Sequence, residues 1–112
     1  MVLHNYESSS GKDLIMEYLN SLPEDEPLDG LLVLSCMENN AFDKILYKRW
    51  EKKVYEVYFR KHNHIFYIIA DADNIYILHA CRKQKNQTEK VDSKIVKKRT
   101  KELGSLLKKT FI

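Results

Sequence analysis

The apolar positions of this chain change period part-way along it, and the change separates two groups of predicted elements. Leu14, Ile15, Tyr18, Leu19 and Leu22 recur at three and four residues, the spacing of one helix face, and Pro23 ends the run. Ser10 precedes this helix with Asp13 three positions later, a capping pattern for its start. Glu24, Asp25, Glu26 and Pro27 put acidic groups and a proline at the entry of a second helix, where negative charge meets the positive end of the helix dipole. Leu28, Leu31, Leu32 and Ser35 are expected to form its inner face, and Asn39 and Asn40 its exit. This acidic part therefore reads as a helical hairpin. Val2, Leu3 and Tyr6 predict a short strand ahead of it.

Past Phe42 the period falls to two and β-branched and aromatic residues become dense, which fits pleated strands. A short strand is expected over 45–50. The next, over 54–60, puts Tyr55, Val57 and Phe59 on one side and Val54, Glu56, Tyr58 and Arg60 on the other. His62 and Asn63 make a tight connection to 65–70, which is apolar on both faces and so central in the sheet. Residues 71–74 turn the chain into a strand over 75–83, with Ile77, His79, Cys81 and Lys83 on one side and Tyr76, Leu78, Ala80 and Arg82 on the other. A last helix carries Val91, Ile95, Val96, Leu103, Leu106 and Leu107 as an apolar stripe, with Lys94, Lys97, Lys98 and Lys101 as a cationic ridge. The prediction is one α+β domain over 1–112: a small antiparallel sheet of four to five strands, an N-terminal helical hairpin and a C-terminal helix.

Charge follows the same division. Residues 1–43 hold nine carboxylates and one lysine, and residues 44–112 hold eighteen Lys/Arg and seven carboxylates, so the net charge runs from −8 to +11. Clustered cations dominate affinity for nucleic acid, so a basic half folded as one surface points to an RNA or DNA partner; a solvated charged exterior is the alternative. The longest apolar run, 65–70, is too short to span a bilayer, and the chain opens without a cationic flank and apolar stretch, so a cytoplasmic protein without membrane contact is expected. Three isolated glycines exclude a phosphate-cradling loop. Cys36 and Cys81 lie in apolar surroundings and are expected to remain free.

Glu56, Tyr58 and Arg60 share a strand face, while Arg82, Lys83 and Lys85 cluster where the last strand runs out. A sheet that gathers them makes a basic pocket around an acid/base group, which suits RNA cleavage. Attack of a 2′-hydroxyl on its phosphate needs a proton acceptor, a donor for the departing oxygen and cations for the charge on phosphorus. The competing reading pairs Glu56 with Arg60 as an ordinary surface ion pair. Lys48, Arg49, Lys52, Lys53 and Lys61, with the four lysines of the last helix, form the wider candidate surface for RNA or the ribosome. Tyr47, Trp50, Tyr55, Tyr58 and Tyr67 interleave with these cations and could stack bases; most of these rings are assigned to the core, with Trp50 and Tyr58 open. His62 with His64, and His79 with Cys81, lack the paired spacing of a structural zinc site, so no metal or cofactor is expected.

The run from Val54 to Phe59, the run Ile65-Phe66-Tyr67-Ile68-Ile69 and the run from Ile75 to Lys83 resemble the three strands of the phage-derived, HigB-like toxins of the RelE/ParE superfamily. Their Leu-His-Gly-Phe-x-Lys-Lys strand is matched by Leu78-His79-Ala80-Cys81-Arg82-Lys83, and the segment Leu14 to Pro23 is similar to their helix ending in Leu-x-x-Leu-Pro. The resemblance implies a RelE-like fold and the toxin of a type II toxin–antitoxin pair, a ribosome-dependent, metal-independent mRNA endonuclease silenced by a helix-turn-helix, HigA-like antitoxin. Glu56, His79 and Lys83 match the pattern, and Arg82 and Lys85 lie beside it; Tyr58, Ile65 and Gln84 stand where the family has cations. On this reading Arg60, Arg82, Lys83 and Lys85 hold the phosphate, Glu56 or Tyr58 moves protons, and His79 orients or packs. A non-enzymatic, ParE-like gyrase inhibitor and a plain RNA-binding module are the alternatives.

Overall fold

The computed structural model describes residues 1–83 and 88–111. A five-stranded sheet in the order β1-β5-β4-β3-β2 is built from β1 (Val2–Asn5), β2 (Leu46–Glu51), β3 (Val54–Phe59), β4 (Asn63–Ile69) and β5 (Asn74–Arg82). β2 to β5 form an antiparallel meander, and β1 adds a parallel edge on β5, so the expected antiparallel sheet is mixed at one side. β4 is central, with Ile65, Phe66, Tyr67 and Ile68 all buried. The helices are α1 (Leu14–Asn20), α2 (Glu26–Glu38) and α3 (Lys90–Leu107), with a short 3-10 turn over Phe42–Lys44. The α+β architecture expected from the pattern is observed, with N-terminal helices and a C-terminal helix about a five-stranded sheet, and it is compatible with the RelE-like fold that the resemblance implies. Among the described residues no helix is long and apolar enough to cross a membrane.

Two cores lie on the two faces of the sheet. Ile15 and Leu19 of α1 and Val33, Leu34 and Met37 of α2 pack on Val57, Phe59, Ile65, Tyr67, Ile75 and Ile77. Val96 and Leu103 of α3, with Phe111 beyond it, pack on Val54, Phe66, Ile68, Leu78 and Cys81. The hairpin therefore covers one face and α3 the other.

Several local expectations are corrected. The α1 cap is Asp13, whose side chain accepts from the backbone of Ile15 and Met16; Ser10 stands one turn too early. The inner face of α2 is Gly30, Val33, Leu34 and Met37, while Leu28, Leu31 and Leu32 are 59%, 43% and 58% exposed. Gly30 decides this rotation, because a Cβ there would stand 2.5 Å from a Leu19 methyl, so only a glycine lets the two helices approach. A bulge in β5 sets Leu78 between the pairs Tyr67↔Ile77 and Phe66↔His79. Tyr76 and Leu78 consequently share a face with His79, Cys81 and Lys83, and Ile77 faces the hairpin. The β3–β4 turn is formed by Arg60, Lys61 and His62, with Asn63 already in β4. Along α3, Val91 and Leu106 are exposed, so its buried stripe is narrower than expected. Cys36 and Cys81 are both free.

Candidate functional site

Glu56, at 0% exposure, is the centre of a polar cluster on the α3 side of the sheet. β3 and β4 pair Tyr58 with His64 and Glu56 with Phe66, and β2 sets Lys48 opposite Glu56. Glu56 Oε1 accepts from His64 Nδ1 at 2.9 Å and from Lys83 Nζ at 3.1 Å, and Lys83 also reaches Oε2 at 3.3 Å. Lys48 Nζ stands 3.7 Å from Oε1 and 5.8 Å from the centre of the Tyr58 ring, which stacks on His64 at 5.6 Å. Burial pushes the Glu56 carboxyl up, but the hydrogen bonds from His64 and Lys83 and their charges outweigh it and hold the group below the usual carboxylate range. An ionised carboxylate thus lies beneath His64, Tyr58 and the half-exposed Lys48.

The expected catalytic set is only partly gathered there. Glu56 pairs with Lys83 and is linked to Tyr58 through His64, yet Lys83 is 3% exposed and held inside the sheet by Glu56, away from the open position that holding a phosphate needs. Arg60 does not pair with Glu56: its guanidinium donates to Asp29 of α2, from a turn in which Arg60 and Lys61 have φ of 52° and 63°. Arg82 pairs in register with Asn63, whose side chain bonds Tyr18 and Glu26, so Arg82 leaves the sheet toward the hairpin. Lys85 lies outside the described residues. Of the wider basic set, Lys48 faces the site, and Arg49, opposite Tyr55, points to the other face. Lys52, Lys53 and Lys61 are exposed in turns, and Lys94, Lys97, Lys98 and Lys101 form an exposed ridge on α3. Lys97 closes on Trp50 at 6.0 Å and on Glu51 at 3.8 Å, tying that ridge to the end of β2. The cations are therefore divided between the two faces rather than drawn into one hollow.

His64 was not a candidate from spacing, which reads it with His62 as part of a turn. Its signal is cross-strand: once the hairpin closes over 60–62, residue 64 must stand opposite Tyr58 and share a face with Phe66.

Residues 17–101 match the family described as phage-derived protein Gp49-like (DUF891). The chain belongs to that family. The match runs from α1 into α3 and includes the whole Glu56 cluster, and the family is related to the RelE/ParE-like toxins. No curated protein matches the chain.

In this Gp49-like protein a second polar cluster joins β5 to α3. Donor atoms of His79, Cys81 and Asp92 lie within 4.8 Å of one another, the grouping among the described residues that could hold a metal ion. His79 Nε2 meets Asp92 Oδ1 at 2.8 Å, while Arg99 Nη1 stands 3.3 Å from Nδ1. A guanidinium only donates, so Nδ1 accepts and Nε2 carries the proton given to Asp92. That leaves the ring's lone pair facing Arg99, away from Cys81 and Asp92, which suits a hydrogen-bonded strut better than a ligand set. Burial pushes the Cys81 thiol up to about 12, so it stays protonated and inert. On the hairpin face, Phe42, Tyr47, Tyr55, Tyr67, Ile69 and Asp71 line a cavity of about 600 Å³. Tyr47, assigned to the core from sequence, is instead 48% exposed at its mouth.

Proposed function

We propose that this Gp49-like protein is the toxin of a toxin–antitoxin pair, of the HigB-like kind, which cuts mRNA on the ribosome and acts as one domain in the cytoplasm. The observation that carries the reading is the buried, ionised Glu56 hydrogen-bonded to His64 beneath Tyr58 and Lys48. Because the Nδ1–H of His64 donates to Glu56, the second ring nitrogen is turned away from the carboxylate as an acceptor. His64 Nε2 takes the proton of the 2′-hydroxyl, O2′ bonds to phosphorus, and the bond from phosphorus to O5′ breaks as Tyr58 gives its phenolic proton to O5′. The products are a 2′,3′-cyclic phosphate and a 5′-hydroxyl end, and Lys48 supplies positive charge to the phosphorane. Glu56 and Lys83 are positioning residues in this scheme. An antitoxin partner follows from the same reading.

Inducing the chain in cells and mapping transcript ends tests it. New 5′-hydroxyl ends are expected in translated mRNA, and His64→Gln should reduce them by about 100-fold with an unchanged circular dichroism spectrum. Ends that persist in His64→Gln would remove His64 from the chemistry. Intact transcripts with damaged DNA would place the protein among gyrase inhibitors, and neither effect would leave a binding module.

A further inference from the structure

The outer face of α2 is unlike the rest of the surface. Leu28, Leu31 and Leu32 stand at i, i+3 and i+4, each more than two-fifths exposed, and form one stripe along the helix axis. Residues 13–43 contain eight carboxylates and no lysine or arginine, so α2 and its flanks give the stripe an acidic border, Glu24, Asp25 and Asp29 at one end and Glu38 at the other, with Arg60 of the β3–β4 turn reaching Asp29. Asp29 is partly neutralised by Arg60; Glu24, Asp25 and Glu38 are exposed.

We propose that this face docks a basic amphipathic helix of another protein, with leucine-like side chains laid along Leu28, Leu31 and Leu32 and lysines or arginines against the acidic border. A ridge of side chains at this spacing is the complement of a second helix's groove, and the flanking sign selects what that helix must carry. A second copy of the chain is disfavoured as occupant, because two such faces would bring two acidic borders together. The inference concerns a partner and is independent of the RNA chemistry proposed above; if that chemistry holds, the occupant is the neutralising protein, gripping the side of the sheet away from Glu56.

The probe is a designed helical peptide of about fourteen residues with leucines at i, i+3, i+4 and i+7 and Lys/Arg flanks, compared with the same helix flanked by glutamates. Binding to the full chain is followed by fluorescence anisotropy, and amide shifts are mapped by NMR. The basic peptide should bind with shifts centred on α2, weaken as salt rises, and lose on the order of tenfold in affinity on changing to the acidic flanks. The triple variant L28S/L31S/L32S, which alters only exposed side chains, should abolish binding while keeping the spectrum of the fold. Equal binding of the two peptides, shifts centred elsewhere, or no binding by either would overturn the proposal. So would a dimer in light scattering that the triple variant dissolves. None of these readouts depends on RNA cleavage, so failure here leaves the nuclease reading standing, and the reverse.

Discussion

Removing the ammonium of Lys83 leaves Glu56 fully buried, with His64 and a more distant Lys48 to hold its charge. Lys83→Met is therefore expected to cost about 3–5 kcal/mol in urea denaturation. Adding Glu56→Leu should recover much of the loss, because an apolar pair does not strand a charge. Acid sensitivity follows from two depressed groups. Burial lowers the pKa of His79 against the pull of Asp92, so the native ring is held neutral. Its contribution is complete above the ordinary imidazole value of about 6.5 and is lost as the pH falls from there through its lower native value. Glu56 contributes fully above the ordinary carboxylate value and loses its contribution as the pH falls through its own depressed one. Melting temperatures taken between about pH 7 and about pH 5 should thus decline in the native protein and flatten in His79→Gln, whereas the steeper loss at lower pH should flatten in Glu56→Gln. Glu56 and Tyr58 were legible as partners because they alternate along one strand. His64 was not, because its partners are set by hairpin register, and Lys83 was misjudged because a terminal cation looks exposed until a buried carboxylate is found opposite it.

At the scale of elements, α2 shows where hydrophobicity stops being informative. Leucines at 28, 31 and 32 and the Val33, Leu34, Met37 set give it two apolar sides of three residues each, and the all-leucine one is outside. What chooses the inner side is the close approach at Gly30, a matter of volume rather than of apolar character. Gly30→Ala should cost about 1 kcal/mol net in thermal denaturation, the overpacking against Leu19 and Phe59 exceeding the gain in helix propensity. The β3–β4 turn carries the opposite expectation. Lys61 has φ of 63° without being glycine, so Lys61→Gly should raise stability by a few tenths of a kcal/mol in the same experiment. The strands themselves were legible by period, but the bulge at Leu78 was not, since one extra residue reverses the alternation that the count relies on.

For the whole molecule, charge segregation along the chain did not become one basic hollow, because alternation in β2 and β5 sends neighbours such as Lys48 and Arg49, or Arg82 and Lys83, to opposite faces. If RNA lies on the α3 face, Lys48→Ala and Lys97→Ala should each weaken RNA binding and lower the salt slope by about 1. Arg49→Ala and Arg82→Ala should leave that slope unchanged in a filter-binding titration. The layering of helices about a central β4 was readable from its doubly apolar run, while the parallel edge made by β1 was not, as nothing in four residues names a distant neighbour. The position of β4 between two unlike cores has a further result. Sliding it by a single residue against β3 would set Ile65 opposite Tyr58 and turn the imidazole of residue 64 into the hairpin layer, in the place where Asn63 now bonds Tyr18 and Glu26 and on the opposite face from Glu56. The alignment that buries the aliphatic side chains correctly is the same one that brings the imidazole to its carboxylate. Folding errors and chemical errors are thereby one event, and a correctly packed molecule has its acid and its ring already joined.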